Sequence, residues 1–250
     1  MSEIDTAMVL AAGFGKRLRP ITETTPKPLV EVAGVSLLER TLSKVREAKI
    51  PRAVVNVHYL GEQIIDHCAT RTERPACDIS DESGEILETG GGVVKALPKL
   101  EPRPFVLLNA DTFWIDGPEP CLPKMMEIFD AATMDILLLV CRPEDTTGHG
   151  NTVDFLIDDH GRLSRADDKR DPMGVIYAGC AILNPAIFDH AKVEPHSLNV
   201  YFDKAIEEKR LFGHVLKGGH WITVGTPQGL ADAEAKLASL LPNDTAGVRE

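Results

Sequence analysis

Four strand-like runs of five residues each, Met8–Ala12, Ala53–Val57, Pro104–Leu108 and Ile136–Val140, apolar but for Asn56 in the second, set the framework of this chain. Runs this short and this continuously apolar suit strands of a parallel sheet covered on both faces. Helical periodicity fills the gaps between them. From Gly34 to Lys49 the residues Val35, Leu38, Leu42, Val45 and Ala48 recur at three and four, which predicts a helix with one apolar face. Gly61 to Thr70 predicts a second helix, with Ile64, Ile65 and Cys68 inward. A strand near Cys77–Ile79, a helix opening over Gly91–Leu97 and another over Met125–Ala132 continue the alternation. Such a rhythm predicts an α/β fold with a doubly wound, mixed but mostly parallel sheet, and ligands beyond the carboxyl ends of its strands.

After Arg142 the pattern changes. Asn151–Ile157 followed by Asp158-Asp159-His160-Gly161 predicts a hairpin, and Val175–Leu183 a further strand. This segment reads as a small β-rich lobe. Thr226 and Pro227 then suit the N-cap and first position of a helix whose apolar face is Leu230, Ala233, Leu237 and Leu240. The expected organisation is one domain over 1–241: a first part over about 1–141, a second over about 142–226 and a C-terminal helix over about 227–241. A frayed tail is expected over 242–250.

The formal net charge is -11, which argues against nucleic acid or an anionic membrane surface as a partner. No stretch has the apolar length of a membrane span and the acidic N-terminus lacks the basic start of a signal peptide, so a cytoplasmic protein is expected. The five cysteines, Cys68, Cys77, Cys121, Cys141 and Cys180, lack zinc-ligand spacing and read as reduced thiols. Oligomeric state is not legible.

Against that acidic background, LAAGFGKRLRPITETTPKPL (Leu10 to Leu29) stands out. Residues 16–27 hold Lys16, Arg17, Arg19 and Lys27 against the single acid Glu23. Gly13 and Gly15 follow a strand and free backbone N–H groups for an anion, although neither GxGxxG nor the Walker spacing is present. Pro20, Pro26 and Pro28 stiffen the segment. It is either a solvated basic loop or a grip for a polyphosphate, with Arg17 forking onto the anion and Lys27 as a point charge. Asp111, at the end of the run Pro104–Leu108, is a strand-end turn residue or a ligand for a hard cation such as magnesium. His58 reads as a packing residue.

The segment AAGFGKRLRPITETTPKPLVEVAG resembles the signature of sugar-1-phosphate nucleotidyltransferases, G-x-G-x-R with a downstream PKP. The likeness continues through LETGGGVVKALP (Leu87 to Pro98), NAD (Asn109 to Asp111), YAGCAIL (Tyr177 to Leu183) and GHWITVGTP (Gly219 to Pro227). The LETGGG block most resembles the N-acetylmuramate-1-phosphate uridylyltransferases of cell-wall recycling. The resemblance implies a Rossmann-like nucleotidyltransferase fold and attack of a sugar-1-phosphate oxygen on the α-phosphorus of UTP, with magnesium as cofactor. It implies that Ala11, Ala12, Gly13 and Gly15 line the nucleotide, that Arg17 holds the β- and γ-phosphates, that Lys27 meets the α-phosphate and the incoming phosphate, and that Asp111 binds the metal.

By the same resemblance a base would lie against Gly91 and Gly92, with Glu82 as the candidate reader of its edge from a loop that allows more than one register. Asn109, Asp154, Lys169 and Gly179 would face the sugar, Asn109 alternatively orienting Asp111. A carboxylate on the sugar would need a cation, with Lys169, Arg170 and Arg142 as candidates. One position departs from the family. Thr223 stands where relatives carry a second metal-binding aspartate, so the metal rests mainly on Asp111 and phosphate, another carboxylate substitutes, or activity is reduced. Mannose-1-phosphate guanylyltransferases using GTP share the RPxTxxxPKP segment and are the alternative within the class. A catalytically weak nucleotide-binding protein is the alternative outside it.

Overall fold

The computed structural model describes residues 4–150 and 152–240. In chain order the elements are β1 (Thr6–Leu10), β2 (Glu31–Val32), β3 (Val35–Ser36), α1 (Leu37–Glu47), β4 (Arg52–Val57), α2 (Gly61–Thr70), β5 (Ala76–Asp81), α3 (Glu88–Leu100), β6 (Phe105–Asn109) and β7 (Thr112–Ile115). There follow α4 (Cys121–Ile128), β8 (Ile136–Cys141), β9 (Thr146–Thr147), β10 (Phe155–Ile157), β11 (Leu163–Arg165), β12 (Ile176–Leu183), α5 (Asn199–Glu207), β13 (Leu211–Val215), β14 (His220–Thr223) and α6 (Pro227–Leu240).

Seven strands form the central sheet in the order β13-β8-β12-β6-β1-β4-β5. All neighbours pair parallel except β12, which runs antiparallel to both β6 and β8. Successive side chains of β1 enter opposite cores. Ala7 and Val9 pack with Leu38, Leu42 and Val45 of α1 and Ile64 of α2, whereas Met8 packs with Val93 and Ala96 of α3 and Phe202 and Ala205 of α5. Helices on both faces explain why the four runs are apolar save for Asn56. A small sheet, β7-β14-β9, sits with α6 over a third cluster that includes Leu18, Phe113, Ile222, Val224 and Ala233.

Of the segment 142–226, β12 and β13 complete the central sheet, while β10 and β11 form the expected hairpin. Its first strand begins at Phe155, not at residue 151, which lies outside the described residues. The first helix begins three residues later than its apolar period, because Gly34 (φ 76°) turns the β2–β3 hairpin and Ser36 caps α1 by accepting from the Glu39 amide at 3.1 Å. Helix α4 ends at Ile128 rather than residue 132, since Phe129 is already extended. Thr226 does cap α6, its Oγ1 accepting from the Gly229 amide at 3.0 Å, but Leu240 is 49% exposed and leaves the apolar face. The tail 242–250 lies outside the described residues. All five cysteines are free thiols, three of them buried.

Candidate active site

Strand β1 has β4 on one side and β6 on the other, so the connections leave the sheet in opposite senses there. This switch point opens a crevice beyond the carboxyl ends of β1 and β6. Leu10 pairs with Asn109 in register, and the Ala110 amide donates to the Leu10 carbonyl at 3.1 Å, which brings the glycine loop beside Asp111. Within that loop Gly15 is left-handed (φ 62°), and a Cβ there would press on Thr22 and Lys27. Thr22 Oγ1 fastens the turn by donating to the Gly15 carbonyl at 2.9 Å, and Tyr59 Oη donates to the Thr22 carbonyl at 2.9 Å. Phe14 rests edge-on against His58 at 5.4 Å, so His58 packs as expected.

Lys27 Nζ lies 2.7 Å from Asp111 Oδ2. Lys27 is buried, at 8% exposure, while the Asp111 side chain is 41% exposed and remains open to a ligand. Arg17 is exposed, with its guanidinium beside the backbone of Gly225. Thr223 pairs in register with Thr112, the neighbour of Asp111, and the Val224 amide donates to the Asp111 carbonyl at 3.3 Å. Position 223 therefore flanks Asp111, and it offers a neutral hydroxyl.

Two cavities adjoin at this point. One, of about 460 Å³, is lined by Ala12, Gly13, Asn56, Glu88, Asn109 and Asp111 among others. The second, of about 200 Å³, shares Leu10, Thr89 and Asn109 with the first and adds Asp154, Arg165 and Tyr177. Glu88 holds φ 57°, an uncommon conformation for a side-chain-bearing residue, at the mouth of the larger cavity.

Glu82 does not line that cavity. It is fully buried, with Oε1 accepting from Asn56 Nδ2 at 2.7 Å and Oε2 from the Leu87 amide at 3.2 Å. Asn56 in turn accepts from the Ala11 amide at 2.6 Å, so the acid holds a lining residue that clamps the end of β1. The three glycines also face protein rather than open space. A Cβ on Gly90 or Gly91 would strike the segment Glu194–His196, and one on Gly92 would strike Glu82 and Asn56. Their absent side chains let α3 pack tightly there.

On the other side, Gly179 (φ 73°) abuts Asn109 and Thr112. Asp154 Oδ2 accepts from the Tyr177 amide at 3.0 Å. Lys169 is exposed and outside both cavities, Arg170 lines a separate surface hollow, and Arg142 donates to the Met173 carbonyl at 2.6 Å. The cation that lines the second cavity is Arg165, anchored by Asp203 at 2.7 Å and Asn199 at 2.9 Å with its guanidinium over the Phe155 ring.

Residues 6–239 match the nucleotidyl transferase family. The chain is 36% identical to an N-acetylmuramate alpha-1-phosphate uridylyltransferase of Caulobacter vibrioides over 93% of its own length and 96% of that protein's. The chain belongs to the nucleotidyl transferase family, as a sugar-1-phosphate nucleotidyltransferase. A uridylyltransferase of the same name from Neisseria meningitidis serogroup B is 30% identical, over 92% of this chain and 96% of that protein. A mannose-1-phosphate guanylyltransferase catalytic subunit of Drosophila pseudoobscura pseudoobscura is 27% identical over 89% of this chain but 59% of its own. Among solved structures, UDP-glucose pyrophosphorylase complexed with UDP-glucose superposes with a TM-score of 0.77 at 17% identity, covering 95% of this chain and 99% of that one, which bears out the fold.

Nucleotidyltransferases of this family generally use a divalent cation. Among the described residues no group of three or more acidic, histidine or cysteine side chains could hold a metal alone. A half-exposed carboxylate beside a cavity still fits a hard cation that takes its remaining ligands from phosphate and water. No helix among the described residues is long and apolar enough to cross a membrane. The cavities are also lined by residues that the sequence reading did not single out as site residues. Asn56 and Arg165 line them near the carboxyl ends of β4 and β11, and Tyr177 near the start of β12, a convergence that no local spacing signals.

Proposed function

We propose that the chain transfers the uridylyl group of UTP to N-acetylmuramate 1-phosphate, releasing pyrophosphate, with magnesium as the cation. The carrying observation is the Lys27–Asp111 pair at the crevice where two cavities adjoin, one with room for a nucleotide and one smaller. A phosphate monoester has its second pKa at about 6 and arrives as an anion, so no general base is required. The protein's work is to hold two anions in line and to balance charge as the α-phosphorus is attacked. Gly13 and Gly15 offer backbone N–H groups to the triphosphate, and Arg17 reaches its β- and γ-phosphates from the rim. Lys27 meets the α-phosphate and the incoming phosphate once released from Asp111. Magnesium on Asp111 would supply charge neutralisation for the phosphate oxygens, with Thr223 contributing little.

Asn109, Asp154 and Gly179 bound the sugar side. Arg165 supports an acidic sugar, because a guanidinium in the cavity wall, bound to Asp203 and Asn199 through Nε and Nη2, has Nη1 to donate to a lactyl carboxylate. The reading fits a cytoplasmic enzyme that draws on nucleoside triphosphates, with the nucleotide handled mainly by residues 1–141 and the sugar by 142–226. Pyrophosphate release from UTP, GTP, CTP and dTTP, each paired with four sugar 1-phosphates, with and without EDTA, tests it. Metal-dependent turnover restricted to UTP with N-acetylmuramate 1-phosphate is expected. Turnover restricted to GTP with mannose 1-phosphate would replace both substrates. Nucleotide binding with no turnover anywhere would make the chain a binding protein.

A further inference from the structure

Five buried side-chain groups lack a hydrogen-bond partner among the described residues: Arg40 Nε, His67 Nε2, His149 Nδ1, Tyr177 Oη and Trp221 Nε1. Of these residues, Tyr177 alone lines either site cavity. A buried hydroxyl left unpaired is costly, and its persistence calls for an explanation. The backbone at Tyr177 is held and its ring is packed against a neighbouring ring. Its own amide donates to Asp154, its ring meets Phe202 edge-on at 5.5 Å and 79°, and β12 breaks register between Tyr177 and Ala181. Burial drives its pKa well up, with Cys180 and then Asp111 adding to the effect, so the phenol stays protonated. Tyr177 lines the smaller cavity together with Asn109, which also lines the larger cavity beside Asp111. A fixed, protonated phenol with no protein acceptor is suited to donate to an oxygen that arrives with a ligand.

We infer that Tyr177 Oη donates a hydrogen bond to the incoming sugar 1-phosphate, and so makes this residue a determinant of acceptor binding rather than of nucleotide binding. The role rests on the reading of the smaller cavity as the acceptor site. Tyr177→Phe removes one oxygen and keeps the packing. The KM for the sugar 1-phosphate rises roughly tenfold or more, as expected for one hydrogen bond to a charged or polar acceptor, while the KM for UTP stays level. The thermal midpoint stays level or rises, because an unpaired polar atom has been removed from the interior.

A second measurement uses the intact wild-type chain. It has three tyrosines, Tyr59, Tyr177 and Tyr201, so ring-labelled protein gives three resolvable ring carbons, assigned with Tyr59→Phe and Tyr201→Phe. Titration with N-acetylmuramate 1-phosphate, and with N-acetylglucosamine 1-phosphate, moves the Tyr177 signal and saturates. Active wild type with an unchanged acceptor KM in Tyr177→Phe would overturn the tyrosine assignment alone. So would a rise in the UTP KM only, or a Tyr177 signal indifferent to both sugars. Wild type that releases no pyrophosphate with any sugar 1-phosphate would overturn the acceptor-site reading, and the tyrosine assignment with it.

Discussion

Lys27 and Asp111 lie 84 positions apart in the chain and 2.7 Å apart in space. Both could be read from the sequence, Asp111 because it follows an apolar run where the fold class puts ligands, and Lys27 because it belongs to a cluster of cations in a proline-stiffened segment that resembles the family signature. Lys27→Met is expected to lower kcat/KM at least about a hundredfold, the scale of removing one charge-stabilising group from a reacting centre. It should cost under about 1 kcal/mol of stability, since Asp111 keeps water contact; denaturant unfolding beside steady-state kinetics checks both. Thr223→Asp adds a carboxylate beside Asp111, and the magnesium concentration for half-maximal rate should fall several-fold. An unchanged magnesium titration would show that position 223 does not face the metal. Arg165 was not legible, because its place in the wall of the second cavity depends on how β11 packs, whereas Lys169 was named through the resemblance and Arg170 as its neighbour.

At the scale of elements, α1 is pinned to the end of β7 by Lys44 Nζ and Asp116 Oδ2, 2.6 Å apart and largely buried. The other Asp116 oxygen accepts from Trp114 Nε1 at 2.9 Å and the Cys121 amide at 2.8 Å, so the carboxylate is fully used. Burial alone would raise the Asp116 pKa, but the bond from Lys44 and those other donors outweigh it and hold it below the usual carboxylate range. A depressed folded-state pKa gives stability that is present above the ordinary value near ~4 and lost as pH falls through the folded value. Asp116→Asn should cost about 2–3 kcal/mol at neutral pH and flatten the acid limb of the stability curve, measured by urea unfolding from pH 3 to 7. The glycines of α3 show where legibility ends. Their presence could be read, but whether a ligand or a neighbouring segment fills the space depends on residues 194–196, which no local pattern connects to them. Strand β13 and helix α5 went unread for a similar reason. Gly213 and His214 interrupt the apolar run, although Gly213 is what admits Leu163.

For the molecule as a whole, the alternation of runs and periods carries the sheet's class, while the strand order comes from packing that the sequence does not display locally. That order has a consequence for how the chain is made. Strands β6 and β8 both precede β12, yet β12 lies between them. Until residue 183 has left the ribosome, β6 has an unpaired edge facing a gap, and β8 has no neighbour on that side either. A fragment ending at residue 170 should therefore sediment after refolding while one ending at residue 240 stays in solution, as ultracentrifugation would register. Because Tyr177 and Gly179 ride on the same late strand, a nascent chain cannot complete the wall of its smaller cavity before it has closed its sheet, so on the proposed reading an unfinished copy has no means of drawing on the cell's sugar phosphates.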